Sequence, residues 1–286
     1  MIRFAPSVHA LAGYTLASLM LVAATGAEAQ ERRMSHCIAI ADAAPGLEYI
    51  QKAAYTDPIP DFSVRISYID HSMFLIQTPG GFSGITDYNG YTGSQDFVPD
   101  VVTMNHAHSS HWTGRPDARI PNVLPGWNED GTGPVNHHLV LDDVLIRNVS
   151  TDIRSGFTGR EDDGNSIFIF EVEGLCIGHM GHLHHEPSEE QYAAIGRLDV
   201  VMIAVDGGLT IPVDVAVRIM ERLRSSVVIP MHWFGRGALD AFLARMSEAF
   251  DIQYAGGSEY VVSLRDLPSR PTVMVLEPQF LPVFEE

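Results

Sequence analysis

The sequence predicts an α/β fold in which two layered β-sheets are covered by helices. From Ser63 onward, short β-rich runs alternate with turn residues, and in the second half of the chain helices appear between some of the strands. This pattern is typical of sheets and helices stacked around one hydrophobic core. Residues 63–286 contain no internal repeat and no linker rich enough to separate domains, so we expect a single domain there.

The first half of this domain is predicted to be mainly β-structure. Short apolar runs bounded by turn residues predict strands at residues 64–69, 73–77, 84–86 and 101–104. Residues 113–137 are rich in Pro, Gly, Asn and Asp, which predicts a long loop. A helical pattern at residues 47–54 precedes the strands and is stopped by Pro58.

The second half alternates more regularly between strands and helices. Strands are predicted at residues 138–141, 144–149, 166–172, 175–178, 199–205 and 227–229, with two or three more at the end. Ser188 followed by Gln191 is typical of a capping box and predicts a helix start. Further helices are predicted at 213–223, where Val217 and Met220 share a face, and at 238–250.

Composition excludes several classes of protein. The chain is 45% hydrophobic, which is too high for a disordered protein. Its formal net charge of −18 argues against nucleic acid and anionic membranes as partners, because both attract positive surfaces. Two cysteines are too few for a disulfide scaffold. These features leave a globular protein; oligomeric state is not predicted.

The N-terminus has the pattern of a secretory signal peptide. Arg3 precedes a 14-residue apolar run at 11–24, and Ala27-Glu28-Ala29 has the small-x-small cleavage pattern. We expect a signal peptide at 1–29, an N-terminal extension at 30–62 and a mature protein that is periplasmic or secreted; an uncleaved anchor is the alternative. Export permits disulfides, but the apolar surroundings of Cys176 favour a buried free thiol there.

Histidines follow three of the predicted buried strands. The strand at 101–104 is followed by the His-x-His-x-x-His run, the strand at 175–178 by a run that begins at His179, and the strand at 227–229 by His232. If these strands are neighbours, the histidines meet at one sheet edge. Neutral imidazole is the commonest metal ligand and prefers zinc, iron, nickel or copper. The sequence therefore predicts a transition-metal site.

The order of these motifs resembles the metallo-β-lactamase superfamily. His-x-His-x-x-His, Gly-His-x-Gly and Pro-Met-His follow successive strands, and residues 68–76 are similar to the opening hairpin of the ascorbate-6-phosphate lactonase-like branch. The resemblance covers residues 63–278. It implies a four-layer αβ/βα sandwich with the metal at one edge, and Thr86-Asp87 matches the turn after the family's third strand.

The resemblance implies a set of metal ligands and three departures from the family motif. The implied ligands are His106, His108, His111, His179, His182 and His232. Ser110 and His182 stand where the family has aspartates, and Asp152 lies near a position where relatives often carry a histidine. Losing two carboxylates weakens the offset to repulsion between two cations. We expect zinc or another transition-metal ion, one or two per chain, with one ion favoured.

The implied function is an exported metal-dependent hydrolase that uses metal-bound hydroxide on an ester, lactone or amide. The candidates for the catalytic base are Asp152, Asp87 and the histidines themselves. The loop from Trp112 to His137 is expected to cover the metal edge. Trp112, Trp127 and Trp233 suggest an apolar wall for a small-molecule substrate, with core packing favoured for Trp233. A phosphodiesterase of the same fold and a non-catalytic metal-binding or ligand-binding descendant are the alternatives.

Overall fold

The computed structural model describes residue 1 and residues 33–39, 55–155 and 159–282. The elements below belong to the compact unit that begins at Arg33. The predicted signal peptide and the predicted helix at 47–54 lie outside the described residues. Within the described ranges, no helix has both the length and the apolar character needed to cross a membrane.

Fourteen strands and four helices are seen in the described part of the chain. In chain order the elements are α1 (His36–Ala39), β1 (Ser63–Asp70), β2 (Met73–Gln77), β3 (Ser83–Ile85), β4 (Val101–Met104), β5 (Asn122–Pro125), β6 (His138–Leu141), β7 (Val144–Ile153), β8 (Glu161–Val172), β9 (Leu175–His179), α2 (Glu189–Ile195), β10 (Val200–Ala204), α3 (Val213–Leu223), β11 (Val227–Met231), α4 (Arg236–Met246), β12 (Asp251–Tyr254), β13 (Glu259–Ser263) and β14 (Thr272–Val275).

The strands form two mixed sheets. The first has the order β13-β1-β2-β3-β4-β5, and the second has the order β12-β14-β11-β10-β9-β8-β7-β6. In the second sheet β9, β10 and β11 run parallel, so that their carboxyl ends lie at the same edge. In the first sheet β3, β4 and β5 are also parallel. The loops that follow these strands carry the histidine motifs.

Alternation along β10 shows how the layers are packed. Val200 and Met202 point into a core shared with the first sheet, whereas Val201 and Ile203 point into a core shared with the helices. Helices α2, α3 and α4 supply the other side of that second core through Ile195, Ile219 and Phe242. Because successive strand residues face opposite sides, one buried strand serves two cores.

The predicted α/β sandwich is confirmed. The outer face of the first sheet carries a third apolar cluster that includes Leu75 and Val102. Loop residues such as Tyr88 and Ile120 pack on it, and none of the four helices seen in the described ranges contributes a buried residue to it. Helices of the described part therefore cover only the second sheet, whereas the four-layer prediction expects helices on both sides.

Many predicted elements are observed with the predicted bounds. These include the strands Met73–Gln77, Val101–Met104 and His138–Leu141 and the helix Val213–Leu223. Ser188 forms the predicted capping box with Gln191. The prediction of an unbroken loop at 113–137 is wrong, because β5 pairs with β4 inside it. Val123 and Leu124 of β5 face opposite cores, which gives this short edge strand its stability.

The free thiol predicted at Cys176 is also wrong, because Cys37 and Cys176 form a disulfide. Glu171 of β8 holds the N-terminal segment in place: it accepts hydrogen bonds from Ser35 Oγ and from the backbone N–H of His36. A separation of 139 residues hides this pairing from sequence patterns. The prediction that Cys176 is buried is confirmed, since both cysteines lie in the core under the helices.

Candidate metal centre

Four histidines converge at the edge where strands of both sheets end. His71, His108, His111 and His232 each offer a ring nitrogen, and these nitrogens lie within 4.8 Å of one another. His71 occupies the turn between β1 and β2, and His108 and His111 lie in the loop after β4. His232 directly follows β11. The cluster therefore joins the two sheets at one edge.

Asp87 fixes the protonation of His111. Its Oδ2 lies 2.5 Å from His111 Nδ1, and both side chains are completely buried. A carboxylate can only accept, so the proton of His111 belongs on Nδ1 and the lone pair on Nε2. Burial raises the pKa of Asp87, but His179, His111 and the hydrogen bonds from His111 and Asn105 lower it more. Asp87 is therefore ionised.

Asp206 lies beside Nδ1 of His232, as Asp87 lies beside Nδ1 of His111. Its Oδ2 lies 2.9 Å from His232 Nδ1, and both groups are buried. The carboxylate also accepts hydrogen bonds from the backbone N–H groups of Gly208 and Thr210. Burial raises the pKa of Asp206, but His232 and these N–H groups hold it below its ordinary value. Although the contact lacks hydrogen-bond geometry, the negative charge of Asp206 favours the tautomer of His232 that keeps its proton on Nδ1 and its lone pair on Nε2.

The two Nε2 atoms face each other. His111 Nε2 and His232 Nε2 are 3.1 Å apart. A carboxylate beside each Nδ1 favours the tautomers in which two lone pairs meet at this distance, and that arrangement is repulsive unless a cation lies between them. In tetrahedral zinc sites with Zn–N bonds of about 2.0–2.1 Å, ligand nitrogens are about 3.3 Å apart. The donor set and its spacing match a bound transition-metal ion.

His182 extends the cluster. Its Nε2 lies 3.1 Å from His108 Nε2, and its Nδ1 is buried without a hydrogen-bond partner. Ser110, which stands at a position where the family has an aspartate, contacts His108 Nδ1 through its hydroxyl at 2.8 Å. A hydroxyl orients the imidazole as a carboxylate does, but it brings no negative charge to the site. His182 is the natural fifth nitrogen of this cluster.

His71 is a cluster member that sequence reasoning did not single out. Its ring lies 3.8 Å from the ring of His232, centroid to centroid, and its Nε2 is buried without a hydrogen-bond partner. The backbone carbonyl of His71 accepts hydrogen bonds from His232 N–H and from the hydroxyl of Tyr68. A histidine directly after a buried strand is the pattern that identified the other candidates, and His71 fits it because it directly follows β1.

Crowding keeps several of these imidazoles neutral. Burial, followed by repulsion from neighbouring histidines, lowers the pKa of His71 to about 3 and that of His108 to about 4. The same causes lower the pKa of His182. Metal ions bind the neutral imidazole, so these side chains are ready to bind at neutral pH without losing a proton.

Two buried asparagines hold the loops that carry the histidines. Asn105 donates to Asp87 Oδ1 and accepts from the backbone N–H of Ser166. Asn165 accepts from the backbone N–H of His182 and donates to Thr151. These bonds connect the loop after β4 and the loop after β9 to β8. The ligand geometry is therefore set by a fully buried polar network.

Two of the predicted ligands lie outside the cluster. His179 is buried, and both of its ring nitrogens are engaged: Nε2 donates to the Ser72 carbonyl, and Nδ1 accepts from Gly181 N–H. His106 turns to Glu161, whose Oε1 lies 2.6 Å from its Nδ1, and its ring stacks on Trp127. The structure thus brings His108, His111, His182 and His232 together and places His106 and His179 elsewhere.

The two predicted carboxylates also have different surroundings. Asp87 contacts His111 directly, as described above. Asp152 instead pairs with Arg160 and accepts from the backbone N–H of Asp163. The sequence analysis does not single out Asp206, although an acid directly after the strand predicted at 199–205 is the same kind of signal as a histidine there.

A cavity of about 360 Å³ is lined by His106, which shares the loop after β4 with His108 and His111. Trp127 forms one wall of it. Its remaining lining is mostly acidic and glycine-rich, and includes Glu129, Gly131, Gly133, Glu161, Asp162 and Asp163. Trp112 contacts both His106 and Trp127 at the base of this wall. The loop predicted to cover the metal edge therefore contributes an aromatic wall next to His106.

Comparison with known proteins shows similarity to one family. A family model described as "Beta-lactamase superfamily domain" matches residues 65–232, the span from β1 to the last histidine of the cluster. A UPF0173 metal-dependent hydrolase from Polaromonas sp. is 24% identical in an alignment of 229 residues that covers 65% of this chain and 84% of that protein. A UPF0173 metal-dependent hydrolase from Thermoplasma volcanium is 23% identical, covering 49% of this chain and 68% of its own.

Solved structures show the same fold. A metallo-β-lactamase superfamily protein from Thermotoga maritima matches with a TM-score of 0.55 and 24% identity, covering 76% of this chain and 100% of its own. A metallo hydrolase from the archaeon Ignicoccus hospitalis matches with a TM-score of 0.51 and 17% identity, covering 78% and 99%.

Proposed function

Because this chain belongs to the β-lactamase superfamily, we propose that it is a metal-dependent hydrolase whose metal is held by the histidine cluster at the sheet edge. The observation that carries the proposal is the pair of facing Nε2 atoms of His111 and His232, each with its Nδ1 against a buried carboxylate. In the tautomers that these carboxylates favour, two lone pairs face each other, and a cation between them would remove their repulsion.

The proposed ligands are His71, His108, His111 and His232, with His182 beside them. A bound zinc or similar ion supplies a Lewis acid that polarises the reacting oxygen of the substrate and lowers the pKa of water. Asp87 and Asp206 hold the Nδ1 protons of His111 and His232 and keep both rings oriented. Asp87 is fully engaged in this way, so we assign it a positioning role.

We propose an ester, lactone or amide of a small molecule as the substrate. The cavity lined by His106 supports this choice, since its aromatic wall and acidic side chains suit a neutral or cationic molecule, and His106 shares the loop after β4 with the proposed ligands His108 and His111. The same acidic lining and the net charge of −18 repel phosphate groups, which weighs against the phosphodiesterase alternative.

We further propose that the protein works outside the cytoplasm, in the periplasm or after secretion. The Cys37–Cys176 disulfide supports this placement, because disulfides persist in oxidising compartments. The signal-like sequence of residues 1–29 supports it as well.

Metal content and turnover test the proposed hydrolase together. The protein, purified without a histidine tag or chelator, is expected to hold about one zinc or similar ion per chain. It should hydrolyse at least one member of a chromogenic ester, lactone and amide panel, and both properties should be lost in His111→Ala and His232→Ala. His185→Ala, at an exposed histidine, is the matched control and should retain both.

The proposal fails if the protein holds no metal even after reconstitution. Full metal binding without turnover of any panel member would favour the non-catalytic metal-binding alternative. Turnover that is limited to a phosphodiester would favour the alternative enzyme.

A further inference from the structure

The carboxylate that holds His232 lies on an exposed loop. Asp206 begins the segment Asp206–Thr210 between β10 and α3, here called the Asp206 loop. Gly207 and Gly208 both have positive φ angles, 85° and 124°, and Leu209 is 63% exposed. Two glycines and an exposed tip give this loop little stiffness of its own. Its internal hydrogen bonds are those that Asp206 accepts from Gly208 and Thr210, and contacts from outside the loop add to them.

Arg154, just after β7, supplies those contacts. One guanidinium nitrogen of Arg154, Nη2, approaches three successive carbonyls of the loop, those of Gly208, Leu209 and Thr210. The backbone N–H of Arg154 donates to His184 Nδ1, and His184 Nε2 in turn donates to the Leu209 carbonyl at 3.1 Å. The loop is thus fastened to the end of β7 by one arginine and one histidine.

One peptide group connects Arg154 to the metal cluster. The carbonyl of the Leu209–Thr210 peptide accepts from Arg154, and the N–H of the same peptide donates to Asp206 at 3.0 Å. In a trans peptide the carbonyl and the N–H point in opposite directions, so holding one orients the other. The chain of contacts runs from Arg154 through this peptide to Asp206 and then to His232 Nδ1.

We propose that Arg154 is a positioning residue that holds the Asp206 carboxylate through the Leu209–Thr210 peptide and thereby keeps His232 oriented for metal binding. This inference rests on the proposed function, because it assumes that His232 is a ligand. Groups that orient a metal-bound histidine typically contribute about 10–100-fold to metal affinity. Arg154 contacts the metal cluster only through other groups. Its replacement should therefore lower the affinity for zinc more than it lowers the stability of the fold.

The test measures the zinc dissociation constant by competition with a chromogenic chelator, without any enzyme assay. Arg154→Ala should weaken zinc binding about 10-fold or more, and Arg154→Lys should fall between Arg154→Ala and the wild type. Arg160→Ala removes another exposed arginine of the same region, one that pairs with Asp152 and Asp162, and should bind zinc like the wild type.

A double-mutant cycle separates positioning from general stability. If Arg154 acts through Asp206, then Arg154→Ala should have little further effect on zinc affinity in an Asp206→Asn background. Additive losses, or an Arg154→Ala protein with unchanged affinity, would overturn the inference while leaving the proposed function intact. A wild-type protein that binds no zinc would overturn both, so the two failures are distinguishable.

Discussion

Asp87 shows how one buried side chain sets the chemistry of its neighbours. Its two oxygens are used separately, Oδ2 by His111 Nδ1 and Oδ1 by the amide of Asn105. The first contact selects the tautomer of a proposed ligand, and the second ties the carboxylate to the loop after β4. A buried charge is tolerated here because both of its oxygens are hydrogen-bonded.

Asp87→Asn is therefore expected to weaken metal binding about 10–100-fold, because a neutral amide no longer holds the proton on His111 Nδ1 with the same strength. The zinc dissociation constant of the two proteins, measured by chelator competition, checks this. Asp142→Asn, in the turn between β6 and β7, makes the same chemical change and should leave the affinity unaltered. Equal affinities in Asp87→Asn and the wild type would exclude the tautomer argument.

At the scale of secondary-structure elements, the loop after β9 is held tightly where it turns. Gly181 has a φ of 61°, and a Cβ there would lie 2.3 Å from Asn165 Oδ1 and 2.4 Å from Asn105 Nδ2. Both asparagines belong to the network that positions the histidine loops. The glycine is required by the close approach of the two side chains as well as by its backbone angle.

Gly181→Ala is expected to destabilise the folded protein by about 2–5 kcal/mol, the sum of backbone strain and overpacking in a buried network. Urea unfolding measures the loss. Gly256→Ala is the matched control: its φ is 69°, but no atom lies within 4 Å of the added Cβ. It should cost only the backbone strain, about 1–2 kcal/mol. Similar losses in the two variants would show that the close contacts at Gly181 relax freely.

At the scale of the whole molecule, the histidine cluster makes the stability of the fold depend on pH. His71 and His108 come from the first sheet, whereas His182 and His232 follow strands of the second sheet. Bringing neutral imidazoles together between two sheets is favourable only while they stay unprotonated. The metal-free protein should therefore respond to pH through the pKa values of these side chains.

The metal-free protein is expected to lose stability as the pH falls from about 6.5 towards 4. Unfolded histidines take up protons near pH 6.5, whereas folded His71 and His108 do so only near pH 3 and 4. Between these values the unfolded chain binds more protons, so the free energy of unfolding rises with pH and falls on acidification. Urea midpoints between pH 7.5 and 4.5 check this, and His71→Gln should flatten the slope. A midpoint that rises on acidification would contradict the assignment.

Local patterns in the sequence were enough to determine most elements of the fold. Strand and helix bounds such as Met73–Gln77 and Val213–Leu223 follow from apolar periodicity, which is a property of a few neighbouring residues. The placement of histidines after buried strands is likewise a local pattern. Together with the parallel arrangement of the strands, it predicts that histidines gather at one sheet edge.

Only the tertiary structure decided which side chains meet there. His71 joins the cluster and His106 turns to Glu161, because rotamers and contacts between distant loops select the members. The Asp206 loop and the Cys37–Cys176 pair also depend on segments that are far apart in the chain. A sequence pattern records the order of residues along one chain, whereas a metal site depends on distances between side chains, and those are set when both sheets pack.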